Sequence, residues 1–475
     1  FPDTATLDRM MTVFDAVSRK NGTLTTSHYK GRTIRYRDIP EGNNKLRSDY
    51  YVQLGNCLAV ALHKELLHRV IDTAKAGANA RTLAGVDRFA ATRRLAFNNK
   101  NTLALAWIDT HTLGKQKAIP FVAPLRRHDN PVTAALGREL HTLMAGFDRL
   151  AVTVTRDHGL RLAIDAPLRD DREATSLDFL FIQPNAEGVT RASLPAAPTA
   201  IVQWQTDLPR LNRAVGRFFP KTYEERIRLV RTLVSAALGG GDLNNGILAN
   251  LGPDLSLVAW GEAKPVGKQG RLEGLAVPKL SILMQNRGRR EFASRVDPLL
   301  RRYMMLLTLV SAGGGGDDNR ASFYLDLHRG VSVGQVRMLG HSNPLGKRLW
   351  PSWAFVDNVF AVGTLKGAVT DVIDRRRADP APALPAPLAE LPPHSGLIYA
   401  DAARLTAWLR ANAPYMARRD TRDTPAAFDE RSAVLNERID TLTLFEHLLF
   451  VRRRTGDGLR WTLEIRTRHP LRRTP

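Results

Sequence analysis

Cysteine is almost absent from this 475-residue chain. Cys57 stands alone, so no intrachain disulfide can form and no metal site can be built on a cysteine pair. It lies in the apolar run 54–62 and reads as a small buried hydrophobe, with no base beside it in sequence to make it a nucleophile. Long apolar runs are missing too. A helix that crosses a bilayer needs about 20 apolar residues. The best stretch, 303–312, is far shorter and contains Thr308 and Ser311, which reads as a buried helix. No transmembrane segment is therefore expected in this chain. Residues 1–9 are polar and acidic, unlike a signal peptide, and the chain opens on Phe1, so a further upstream segment is expected.

Acidic residues are in deficit: 47 Asp and Glu face 69 Lys and Arg, for a net charge of +22 and an isoelectric point near 10.6. A field of that sign favours anionic partners, whether nucleic acid, lipid phosphate, acidic polysaccharide or acidic protein. The basic clusters are Arg287, Arg289 and Arg290; Arg375, Arg376 and Arg377; Arg452, Arg453 and Arg454; and the run 466–473. The nine arginines of the first three clusters are the candidate anion-binding residues. Aromatic residues do not interleave with them, as a platform for stacked bases would require.

The signatures of common catalytic chemistry are also lacking. His63 and His68 are five positions apart, whereas a zinc-binding helix sets its histidines four apart. The segment 340–344, GHSNP, lacks the second glycine of a nucleophile elbow. The glycine clusters at 239–241 and 313–316 each follow the string Thr-Leu-Val-Ser-Ala, so they end helices rather than open them as a phosphate loop would. The Asp and Asn residues at 242–245 and 317–319 read as ordinary loops rather than cation ligands. No catalytic residue, metal or cofactor is assigned.

What the chain does contain is an internal repeat. Residues 51–72 align without a gap on 353–374, with identities at Asn56/Asn358, Ala59/Ala361, Val60/Val362, Lys64/Lys366, Val70/Val372, Ile71/Ile373 and Asp72/Asp374. Both copies read as a β-rich run, a polar turn and an amphipathic helix. Further on, 103–113 matches 397–405: an apolar strand runs into Asp109 or Asp401, each placed to cap a helix. A third match sets 147–164 against 445–465, both with the alternation of β-hairpins around a glycine turn. A weaker pairing sets His28 to Gly31 against His328 to Gly330. The predicted fold is α+β: two tandem modules, each a mainly antiparallel sheet with helices on one face. The expected divisions are 1–168, N-terminally incomplete; a linker, 169–191; and a fuller module, 192–475. The Pro- and Ala-rich segment 379–393 reads as an extended surface linker.

With these segments in view, the chain resembles a family of large, mostly exported bacterial proteins, the domain of unknown function 3352 type. The phrases that carry the resemblance are LPAAPTAIVQWQTDLPRLNRAV (194–215), LGPDLSLVAW (251–260), VPKLSILMQNRGRREFASRVDPLLRR (277–302), PSWAFVDNVFAVGTLKGAVTDVIDR (351–375) and LPPHSGLIYADAARLTAWL (391–409). The resemblance implies export to the periplasm or cell envelope, with a signal or anchor upstream, and it implies no activity. Three functional expectations follow. The first is a non-enzymatic binding or scaffold protein whose basic surface docks on anionic envelope polymers, lipids or protein subunits. The second is a hydrolase-like enzyme with a site between the modules, drawn from Asp109, His111, Asp401 and His328. The third is a nonspecific nucleic-acid binder, which the charge permits and no motif supports.

Overall fold

The computed structural model describes residues 3–20, 24–41, 45–55, 57–61, 63–77, 82, 85–115, 122, 125, 130–186, 188–218, 223–237, 243–265, 275–288, 292–294, 296–302, 320–339, 350–379, 383–417 and 425–468. The expected helix at 303–312, both glycine clusters, the 317–319 loop and the 340–344 segment lie outside these residues. The chain folds as two compact units, Phe1–Asn98 and Asn99–Pro475.

In the smaller unit, helix α1 (Thr4–Lys20) opens on Asp3, whose carboxylate accepts the Thr6 N–H at 2.6 Å and is held below its usual pKa by that bond. Four antiparallel strands follow in sequence order: β1 (Leu24–Tyr29), β2 (Arg32–Glu41), β3 (Lys45–Leu54) and β4 (Cys57–Ala61). Helices α2 (Lys64–Ala76) and α3 (Asp87–Phe97) complete the unit. Alternation along β3 sends Val52 to one face, where Leu67 and Ile71 of α2 bury it, and Tyr51 to the other, where Leu7 and Met11 of α1 meet it. The helices thus cover both faces rather than one, because Tyr51 of β3 with Leu24 of β1 and Leu58 of β4 gives the second face an apolar patch for α1. Cys57 is exposed, not buried: it opens β4, the end strand of the sheet.

The larger unit is built on one antiparallel sheet of thirteen strands. Its first three are β5 (Thr102–Ile108), β6 (Leu150–Asp157) and β7 (Gly159–Pro167), with helices α4 (Thr110–Lys115) and α5 (Pro131–Ala145) between β5 and β6. Then come β8 (Pro198–Gln205), helices α6 (Leu208–Phe218) and α7 (Glu224–Ala237), β9 (Leu251–Pro265), β10 (Ala276–Asn286), β11 (Arg320–His328), β12 (Val331–Leu339), β13 (Ser352–Val356) and β14 (Val359–Gly363). Helix α8 (Lys366–Arg376), β15 (Gly396–Asp401), helices α9 (Ala402–Ala417) and α10 (Pro425–Thr441), β16 (Phe445–Arg454) and β17 (Gly458–Thr467) finish it. The spatial order is β11-β12-β13-β14-β10-β9-β8-β15-β16-β17-β7-β6-β5. Residues 102–167, which sequence matching assigns to the first copy, therefore share a sheet with the second.

The repeat is legible element by element. β1 to β4 with α2 recur as β11 to β14 with α8, and β5 to β7 recur as β15 to β17. The backbone repeats its rarest features. Lys30 and Gly31 turn at φ +46° and +75°, and Arg329 and Gly330 do the same; Gly55 at +64° is matched by Asp357 at +50°. The shared aspartate also has one job in both copies. Asp72 accepts from Lys30 Nζ at 2.6 Å and from the Tyr29 hydroxyl, while Asp374 pairs with Arg329 Nε at 2.7 Å and His328 Nε2 at 2.8 Å. Each bond pins a tight turn to the helix.

The copies meet at β7 and β17. These strands pair with Ala163 opposite Thr462, Gly159 opposite Arg466 and Gly458 opposite Pro167, a register that relates the two hairpins by a local two-fold. Both glycines are forced by that seam. A Cβ on Gly159 would sit 2.1 Å from the Ile465 carbonyl oxygen, and one on Gly458 would sit 2.3 Å from that of Ala166.

The main core of this unit lies under α8: Ala368 and Val372 pack on Ile201, Val258, Leu283, Ala361, Leu397 and Tyr399. Phe292 and Val296 cover the opposite face through Trp353 and Phe360. The segment 379–393 is not an extended surface linker. It contains a helical turn, Ala386–Ala389, and Leu388, Leu384 and Leu391 pack into the main core, because leucines spaced along it supply an apolar side.

Candidate anion-binding pocket

Helix α8 packs Ala368, Val369, Val372 and Ile373 onto the sheet. The helical repeat then puts Asp371, Asp374 and Arg375 along the rim of that face. Together with Pro195, Ala196 and Ala197 before β8, Trp260 of β9, Arg329 of the β11–β12 turn and Arg404 of α9, they line a pocket of about 480 Å³.

The charges in this pocket are not equivalent. Asp371 accepts from Lys279 Nζ at 2.6 Å and Trp260 Nε1 at 2.9 Å. Asp374 is held by Arg329 and His328 as described. Arg404 lies 3.8 Å from Asp401 and is half-exposed. Arg375 differs from all of them. It is only 8% exposed, and its buried Nε and Nη1 atoms have no hydrogen-bond partner. Burial alone lowers its pKa below the ordinary guanidinium value. A guanidinium carries five donors in a planar fork and stays charged, so leaving the three on Nε and Nη1 unmet in a desolvated site costs several kcal/mol, of the order of ~2–5. An oxyanion within hydrogen-bond reach of Nε and Nη1 would supply the acceptors they lack. Phosphate and carboxylate match the fork in shape and sign. Beside Arg375 the wall is apolar, formed by Pro195, Ala196, Ala197, Trp260 and Ala378. The pocket is thus chemically suited to an anionic head with an apolar flank.

The other arginines of the sequence clusters are placed differently. Arg376 is tied to Asp357, to Asn358 at 2.8 Å and to Ser193 at 3.1 Å, and Arg377 pairs with Asp357 at 3.3 Å. Arg452 is buried, with its guanidinium spent on the Ser395 carbonyl and hydroxyl and on the Leu180 carbonyl; burial pulls its pKa down to about 10. Arg453 and Arg454 are exposed on β16, and Arg287 is exposed at the end of β10. Arg289 and Arg290 lie outside the described residues. The clusters adjacent in sequence are therefore dispersed in space, and Arg375 is the member that enters a pocket. Sequence spacing held a signal for it: Arg375 follows Ala368 and Val372 at helical intervals, a cation placed on the apolar stripe.

Among the catalytic alternatives, Asp109 and Asp401 act as helix caps, accepting N–H bonds from Thr112 and Arg404, each at 2.9 Å. His328 is engaged with Asp374. His63 and His68 make no ligand pair; His68 stacks on Tyr29 with ring centroids 3.7 Å apart. Among the described residues no group of three or more His, Cys, Asp and Glu side chains is arranged to hold a metal ion. Nor is any described helix long and apolar enough to cross a membrane. In comparisons with known proteins, no family model, curated protein or solved structure matches this chain.

Proposed function

We propose that this is a non-enzymatic binding or scaffold protein that holds an anionic ligand, a phosphate- or carboxylate-bearing molecule with an apolar flank, against Arg375. The observation that carries the reading is a buried guanidinium, unpaired on two nitrogens, lining an open pocket. The net charge of +22 supports it from a distance, because that field draws anions to the surface before any of them meets the pocket. Envelope lipids and acidic polymers carry both features of such a ligand. An exported setting, which the resemblance of the sequence implies, would bring the protein to them.

The test is thermal unfolding of wild type and Arg375→Met with inorganic phosphate and a short alkyl phosphate over a salt series. Ligand held by the native state alone raises Tm by about 2–5 °C at saturating concentrations. The wild type should show that rise, larger for the alkyl phosphate, and Arg375→Met should not. The variant should be at least as stable in low salt, since methionine replaces a stranded charge with an apolar chain of similar length. Equal ligand shifts in the two proteins would remove Arg375 from the site and the proposal with it.

A further inference from the structure

An antiparallel sheet that buries one face ordinarily alternates apolar and polar residues along each strand. The middle strands of the thirteen-stranded sheet depart from that rule. Ile201, Val258, Leu283 and Tyr399 belong to the core under α8 and are buried. The residues beside them in sequence point the other way, and they are apolar too. Strand register sets six of this kind side by side: Ile282 lies opposite Leu257, Leu257 opposite Val202, Val202 opposite Ile398, Ile398 opposite Phe450 and Phe450 opposite Leu463. The row thus crosses β10, β9, β8, β15, β16 and β17 without one polar side chain. At its β14 end the same face is covered, where Phe292 and Val296 pack on Trp353 and Phe360. Further along it is open to solvent: Ile282 and Leu257 are each 42% exposed and Ile398 is 41% exposed, while Val202, Phe450 and Leu463 are partly buried. The neighbouring row is lower. Ala259, Ala200 and Ala400 stand opposite one another on β9, β8 and β15, a floor of methyl groups beside the bulkier side chains. A contiguous exposed apolar surface of this kind marks an interaction site.

We infer that this strip binds the hydrocarbon chain of an anionic lipid. Its side chains offer no hydrogen-bond donor or acceptor, so whatever lies along it must itself be apolar. Six strands spaced at about 4.8 Å put the ends of the row roughly 24 Å apart. A lipid chain that fills one leaflet, about half of a ~30 Å bilayer core, lies within that length. Charge decides between a lipid and a second copy of the protein. Two copies would bring a net charge of +22 against +22, whereas the same field draws in an anionic head. The strip is on the face away from α8, and the inference does not rest on the Arg375 pocket, which is built around that helix.

The experiment titrates the full chain with cis-parinaric acid, a fatty acid that fluoresces in apolar surroundings. Fluorescence should rise to saturation, fall when oleate is added and persist in butyrate, which has the head without the chain. Ile398→Gln combined with Leu257→Gln places amides on the row and should weaken binding about tenfold or more. Ala200→Leu keeps the strip apolar but raises its floor, and it should weaken binding as well. Either variant, shown to be folded by its Tm, decides the matter. Arg375→Met should bind the probe as the wild type does, which separates the strip from the pocket. Absence of saturable binding, undiminished binding to a folded strip variant, or loss of binding in Arg375→Met would overturn the inference. So would sedimentation showing a dimer that the paired glutamines dissociate, because the strip would then belong to a second copy.

Discussion

Two arginines show how far burial and pairing can be separated. Arg452 and Arg375 are 9% and 8% exposed, so both have lost their water. Arg452 recovers it in hydrogen bonds to Ser395 and Leu180, while Nε and Nη1 of Arg375 recover nothing from the protein. Their replacement should therefore have opposite effects. Arg452→Met takes a donor from three acceptors and should lower stability by about 2–4 kcal/mol in urea denaturation, against a neutral or favourable change for Arg375→Met. His394 gives a pH dependence. It is 3% exposed beside Gln203 and the Pro392 carbonyl, and desolvation lowers its pKa below the ordinary 6.5. Below pH 6.5 the unfolded chain takes up a proton that the native state resists, so stability should fall as pH drops through that value and be flat above it. Urea midpoints at pH 5.0 and 7.5 measure the fall, and His394→Gln should reduce it. Neither environment is readable from sequence, because His394 and Arg452 meet their partners only after distant segments pack.

At the scale of elements, the seam between β7 and β17 depends on two glycines that local propensity would not single out. Backbone passes too close for any side chain at Gly159 or Gly458. Gly458→Ala should therefore cost about 1–3 kcal/mol by denaturant titration, since the facing strand must shift to admit a methyl. Gly456→Ala, whose new Cβ meets nothing within 4 Å, should leave stability nearly unchanged and serves as the control. The repeated turns follow a different logic. Lys30-Gly31 and Arg329-Gly330 were legible as a weak match only, yet their φ values coincide and each is pinned to the equivalent helical aspartate, Asp72 or Asp374. Asp72 and Asp374 stood among the identities of the repeat; what the identity was for appears only once the helix lies across the turn.

The whole molecule is where sequence reading and tertiary structure part. The repeat, the antiparallel strands, the hairpins, the two aspartate caps and the strong positive charge were all available in one dimension, because alternation, helical spacing and capping are local rules. The α+β class follows from them. The pairing of β7 with β17, the coverage of both sheet faces by helices and the exposure of Cys57 were not, since strand order depends on which edges meet over hundreds of residues. Sequence by itself determined that this chain is built from two related copies of an antiparallel design and bears a large excess of cations. Only the tertiary structure decided that Arg375 is buried beside a pocket with Nε and Nη1 unpaired. The reason is physical: composition fixes how many charges a chain must place, whereas desolvation and pairing arise from segments brought together by folding.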